Sequence, residues 1–137
     1  MILITGSGTV LGIKLSNYLF NKKFNILALY NQTFPKKLSK KINKVKINLE
    51  KKINISNQIN TIIHCASKVP GDDVSNKEIY NRNIKIIKNI LRLSKQKKIE
   101  NFIFISSMAI YGKPKVKIIT DRSKKKPEDT YGMSKLN

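Results

Sequence analysis

The short apolar run Ile2-Leu3-Ile4-Thr5 leads directly into Thr5-Gly6-Ser7-Gly8-Thr9-Val10-Leu11-Gly12. Val10, Leu11, Leu15, Tyr18 and Leu19 then recur at helical spacing, so the chain opens as strand, tight turn and helix. A strand that must return through a helix pairs most readily with parallel neighbours, and this places the chain among α/β folds. Backbone N–H groups in such a glycine turn can approach a pyrophosphate, which the helix N-terminus then stabilises. Gly6, Gly8 and Gly12 are placed for this, although the spacing is not G-x-G-x-x-G because Leu stands at position 11.

The rest of the sequence continues the alternation. Ile26 to Tyr30 is a second expected strand, followed by Pro35 and the lysine-rich stretch 36–44 as a solvated connection. Val45 to Leu49 and Thr61 to Ala66 are the next strand candidates. Residues 76–98 read as the longest helix, with Ile79, Ile86, Ile87, Ile90 and Leu91 on the buried face and Lys77, Lys85, Lys88, Arg92 and Lys95 on the other. Phe102 to Ile105 is a near-continuous apolar run, expected to be a parallel strand buried on both faces with Ser106-Ser107 at its carboxyl end, where ligands of open α/β sheets bind. Gly112, Pro114, Pro127 and Lys124-Lys125-Lys126 mark a loop before a final helix that begins near Glu128 to Tyr131. The expected architecture is one Rossmann-like, doubly wound parallel sheet of about five strands over residues 1–137.

With 28 basic and 8 acidic side chains the chain carries a net charge of +20, which raises nucleic acid and anionic membrane as partners. The basic residues, however, are 25 lysines and only 3 arginines, beside 22 isoleucines and 15 asparagines. That skew fits A/T-rich codon usage, the lysines are spread over the whole chain, and base-edge readers favour arginine, so nucleic acid is disfavoured as a partner. One cysteine, Cys65, excludes an intramolecular disulfide, the N-terminus lacks a secretory leader, and no apolar stretch approaches membrane-spanning length. A cytoplasmic protein without a membrane partner and without a metal site is expected.

Near the C-terminus, Tyr131-Gly132-Met133-Ser134-Lys135 sets a tyrosine and a lysine four residues apart, on one side of a helix. A phenol with an unperturbed pKa of about 10 needs a nearby cation to act as acid or base at neutral pH, and Lys135 is placed to supply it. Taken together with the glycine turn, Phe102-Ile103-Phe104-Ile105-Ser106-Ser107-Met108-Ala109-Ile110-Tyr111-Gly112 and Ile63-His64-Cys65-Ala66-Ser67, this chain resembles the N-terminal part of the extended short-chain dehydrogenase/reductase family, the NAD-dependent epimerase/dehydratase group acting largely on sugar nucleotides. The resemblance covers nearly the whole chain. Pro127 to Lys135 is similar to the family's P-x-x-x-Y-x-x-S-K stretch, and Asn83, with Asn89 and Leu91, to its active-site asparagine helix.

What the resemblance implies is a catalytic set of Ser107, Tyr131, Lys135 and Asn83, and a cofactor, NAD or NADP, contacted by Gly6, Gly8, Thr9, Val10, Gly12, Asn31, Asn48, Ala66, Tyr131 and Lys135. Tyr131 would exchange the proton on the substrate oxygen, Lys135 would lower its pKa and hold the ribose, and Ser107 would orient the same oxygen. The implied activity is that of a nucleotide-sugar epimerase or reductase. Met108 and Ala109 stand where the family's 4,6-dehydratases carry acidic residues, which disfavours dehydration. The alternatives are a catalytically silent dinucleotide-binding module or a decayed fragment. Three positions depart from the family pattern: Thr9 replaces the middle glycine of T-G-x-x-G-x-x-G, no carboxylate follows the second strand at Tyr30-Asn31-Gln32, and Asn48 replaces an aspartate near the adenine. Lys36 or Lys37 could meet a 2′-phosphate instead, so NAD and NADP both stay open. Because the sequence stops two residues after Lys135, the substrate-recognition region is expected to lie outside it, and the 137-residue polypeptide is expected to be inactive or nearly so by itself. The family also allows a homodimer through the helices beside the Tyr-Lys stretch.

Overall fold

The structure is a computed structural model and describes residues 1–71 and 75–136. Its elements run β1 (Ile2–Thr5), α1 (Val10–Asn21), β2 (Ile26–Tyr30), β3 (Asn43–Lys46), β4 (Thr61–His64), α2 (Asn76–Lys97), β5 (Asn101–Phe104), a 3₁₀ helix at Met108–Tyr111, and α3 (Thr130–Leu136). The five strands form one parallel sheet in the order β3-β2-β1-β4-β5. The chain leaves β1 toward β2 and β3, then crosses back to β4 on the other side, so the order reverses at the carboxyl end of β1. Ligands of such sheets bind at that reversal.

Two compact units are present: Met1–Ser67 with Lys88–Ile105, and Lys68–Ile87 with Ser106–Asn137. The first holds the whole sheet. Leu3, Ile4, Leu27, Ala28 and Ile62 are fully buried in its central strands, and one core cluster joins Ile4, Ile26, Ala28, Leu38, Ile42 and Ile63, with Leu15, Leu19 and Phe20 of α1 packed against it. Burying side chains of this size stabilises a fold by about 1.5–3 kcal/mol each. The second unit holds the start of α2, the 3₁₀ helix and α3.

Three expectations about these elements, those for β3, α2 and β5, need correction. The third strand lies at Asn43–Lys46, upstream of Val45–Leu49, because the register pairs Leu27 with Asn43 and Tyr30 with Lys46. As an edge strand it keeps exposed Asn43 and Lys46 side chains, which discourage pairing with other chains. Helix α1 forms where the apolar spacing places it: Leu15 and Leu19 pack on the core, Val10, Leu11 and Tyr18 are exposed, and the most buried positions, Gly12 and Ser16, are small residues that let the helix approach the sheet closely. In α2 the buried stripe is Ile79, Asn83, Ile86, Ile90 and Leu93, while Leu91 faces solvent. Finally, β5 is covered on one side only: Phe102 and Phe104 are half-buried, Phe104 stacking on His64 at 5.7 Å, whereas Ile103 is 47% exposed at the sheet edge.

Candidate functional site

The glycine turn belongs to the first unit and is tied to the strand ends around it. Ser7 N donates to Leu29 O at 2.9 Å, and Ala66 N to Thr5 Oγ1 at 3.1 Å. Gly6 has φ +72°, and a Cβ there would stand 2.8 Å from Ala66 N, so both conformation and space require glycine. Thr9 does not need glycine's freedom. It is the N-cap of α1 in extended conformation, its hydroxyl donating to Gly6 O at 2.8 Å and accepting from the buried Gly12 N at 3.1 Å. A threonine replacing the middle glycine thus closes the turn as a helix cap. Gly12 and Ile13 N–H groups are met by Thr9, which leaves those of Val10 and Leu11, at the exposed helix start, without an intrahelical acceptor. A glycine turn followed by unpaired first-turn amides at an exposed helix start is suited to an anionic phosphate.

Asn31, Asn48 and Ala66, also expected at a cofactor, are in this unit too, whereas Tyr131 and Lys135 belong to the second. Asn31 is exposed just beyond the end of β2, and Ala66 lies against Gly6 beyond β4. Asn48 is exposed, but its Oδ1 accepts from Glu50 N at 2.9 Å, so its side chain organises its own turn. Thr5 and His64, paired across β1 and β4, share a buried contact of 2.7 Å between Oγ1 and Nδ1 that braces the base of the turn.

Asn83, Ser107, Tyr131 and Lys135 all lie in the second unit. Ser107 is the N-cap of the 3₁₀ helix, its Oγ accepting from Ala109 N at 3.2 Å. Helix α3 lies close against this 3₁₀ helix because Gly132 has no side chain: a Cβ there would be 2.5 Å from Ala109 O and 2.9 Å from Pro127 Cβ. Tyr131 is half-buried, and Lys135 Nζ stands 5.9 Å from the centroid of its ring. Lys135 is 7% exposed and is the one buried lysine among the described residues, a costly placement for an ammonium unless it is used or paired. The Asn83 side chain is fully engaged. Its Oδ1 accepts from Lys68 N at 2.7 Å, and its Nδ2 donates to Lys68 O at 2.9 Å and to Ser134 Oγ at 3.0 Å. Ser134 Oγ in turn donates to Tyr131 O at 2.7 Å.

Two supporting residues are not singled out by the sequence. Ser134 links Asn83 to the turn of α3 that carries Tyr131, and Asp129 caps that helix, its Oδ1 accepting from Gly132 N at 2.6 Å. The signal for Asp129 was present as an acidic residue just before the helix, three positions from the amide it caps. A phenol with an ammonium on the next helical turn can exchange a proton with a substrate oxygen, and a serine hydroxyl in the same unit can hydrogen-bond that oxygen.

Known proteins share this family signature and this fold. Residues 2–137 match the sequence model of the NAD dependent epimerase/dehydratase family. A protein of Methanocaldococcus jannaschii, provisionally named a UDP-glucose 4-epimerase, is 26% identical over a 145-position alignment that covers 98% of this chain and 47% of that protein. Among solved structures, a UDP-galactose 4-epimerase superposes with a TM-score of 0.90 at 19% identity, covering 98% of this chain and 48% of the other. The Bifidobacterium longum UDP-glucose 4-epimerase, solved in complex with NAD+ and UDP, gives 0.83 at 22% identity, over 98% and 45% of the two chains. The chain therefore spans about half the length of the relatives it matches. Among the described residues no helix is long and apolar enough to cross a membrane. With a five-stranded parallel Rossmann-like sheet and a family match over nearly its entire length, the chain belongs to the NAD dependent epimerase/dehydratase family.

Proposed function

We propose that this chain is the dinucleotide-binding part of a nucleotide-sugar epimerase or reductase, and that Ser107, Tyr131 and Lys135 act on a substrate hydroxyl or carbonyl. The observation that supports the chemistry best is Lys135, the one buried lysine among the described residues, with its ammonium 5.9 Å from the Tyr131 ring centroid. The nucleotide-sugar class comes from the relatives, among them the Bifidobacterium longum enzyme named for UDP-glucose and solved with NAD+ and UDP.

The glycine turn and the first-turn amides of α1 fit a pyrophosphate, since no side chain stands at Gly6 or Gly8 and the Val10 and Leu11 amides lack intrahelical acceptors. When bound, a nicotinamide cofactor supplies reversible hydride transfer. The chain's own part is to bind and orient. Tyr131 moves a proton to or from the substrate oxygen, Lys135 places a positive charge beside that tyrosine, and Ser107 holds the oxygen. Asn83 enters as a positioning residue, because its amide is committed to Lys68 and Ser134. Neither Met108 nor Ala109 carries a carboxyl group, so the 3₁₀ helix supplies no acidic pair for dehydration, which favours epimerisation or reduction.

The test is equilibrium binding of oxidised and reduced nicotinamide dinucleotides to the purified chain. Saturable binding that Gly6→Val abolishes, on protein with native circular dichroism, is expected, and no binding of either dinucleotide overturns the reading. Tyr131→Phe should leave that binding within about threefold while lowering turnover of a nucleotide sugar by the gene product roughly 10²–10⁴-fold, the usual contribution of a positioned acid or base. Unchanged turnover removes Tyr131 from the chemistry.

A further inference from the structure

In a dinucleotide seated on the glycine turn, the adenosine ribose reaches the end of the second strand, where an Asp or Glu binds the 2′-hydroxyl of NAD or a cation accepts the 2′-phosphate of NADP. Here β2 runs out through Tyr30-Asn31-Gln32-Thr33-Phe34, and the whole first half of the sheet is free of carboxylates. The first acidic residue in the sequence is Glu50, and 9 lysines precede it.

The loop after β2 is held beside the turn. The Thr33 carbonyl lies so near Gly8 that a Cβ there would come within 2.5 Å of its oxygen. On α1, Asn17 donates to Lys37 O at 2.9 Å and accepts from Ser39 N at 2.9 Å. Pro35 and Leu38 are buried on either side of Lys36 and Lys37, and Phe34 packs edge-on against Tyr30 at 5.4 Å. The backbone carrying the two lysines is therefore anchored to the helix that begins at the phosphate cradle, while both side chains are exposed.

We propose that this site selects a dinucleotide whose adenosine ribose bears a 2′-phosphate, with Lys36 and Lys37 as its cations. The proposal rests on the dinucleotide reading above and deepens it. A dianionic phosphate meets two ammonium groups on an anchored loop and no carboxylate that would repel it, whereas the 2′-hydroxyl of NAD finds no acidic acceptor there.

The experiment measures dissociation constants of NADPH and NADH on the purified chain, its Lys36→Ala/Lys37→Ala variant and its Asn31→Asp variant, at low and high salt. NADPH should bind at least about tenfold more tightly than NADH, the equivalent of one charge-assisted contact. The double variant should lose about tenfold or more for NADPH and less than threefold for NADH, and the difference between cofactors should shrink as salt screens the exposed lysines. Asn31→Asp should weaken NADPH and strengthen NADH. Equal binding, tighter NADH, or a preference for NADPH that survives the double variant each overturns the proposal while leaving the dinucleotide reading in place. If neither cofactor binds, both fall.

Discussion

Replacing Asn83 by alanine probes how the Tyr131 helix is held. The side chain is 6% exposed and makes three hydrogen bonds, two with the Lys68 backbone and one with Ser134. At about 1 kcal/mol net for each bond, with water able to reach part of the half-buried Lys68 backbone, the loss is about 2–3 kcal/mol. That is a large share of the roughly 5–15 kcal/mol typical of a folded domain. Ser134 retains its bond to Tyr131 O, so the network is weakened without being dismantled. The assay is urea unfolding of the wild type, Asn83→Ala, Ser134→Ala and the double variant. The two residues share one bond, so the double-mutant cycle should return a coupling of about 1 kcal/mol. Asn83→Asp should cost more than Asn83→Ala, because it sets a carboxylate oxygen against the Lys68 carbonyl 2.9 Å away. A loss below about 0.5 kcal/mol for Asn83→Ala, or no coupling to Ser134, would refute this account of how α3 is held.

Three further outcomes follow from the geometry. Gly6→Ala should destabilise by about 1–3 kcal/mol in thermal or urea unfolding, since it combines a left-handed φ with a backbone collision. Thr9→Ala should cost about 1 kcal/mol as a lost helix cap, whereas Thr9→Gly should cost only about a few tenths; equal costs would remove Thr9 from the capping role. Ile103→Lys should stay within about 0.5 kcal/mol of wild-type stability, as a half-exposed edge residue, yet lower aggregation measured by light scattering. A stability loss above about 2 kcal/mol would mean that Ile103 is part of a buried face.

Strands β1, β2 and β4 and the length of α2 were legible in the sequence because apolar periodicity reports burial there directly. In α1 the periodicity locates the helix and its core-facing Leu15 and Leu19, but it is blind to Gly12 and Ser16, the most buried positions, and counts Val10 and Tyr18, which are exposed. A hydrophobic scale does not register small residues that serve close approach. It also missed Asn83 within the buried stripe of α2, since a polar side chain enters a core only with partners, and those partners lie at positions 68 and 134, distant in sequence. The edge strand β3 was displaced for the opposite reason: Leu49 is buried but lies outside the strand, while polar Asn43 and Lys44 pair with β2. At the candidate site Ser107, Tyr131 and Lys135 were singled out by the family motif, and all three lie in the second unit. Thr9 read as a defect in the glycine pattern until its hydroxyl was placed on Gly12 N.

The central claim, that the glycine turn binds a dinucleotide, is tested most directly by backbone amide shifts of the ¹⁵N-labelled 137-residue chain during titration with the preferred cofactor. The largest shifts should fall on Gly6 to Gly12, Asn31 and Ala66. Shifts spread over the lysine-rich surface, or none at saturating cofactor, would contradict it.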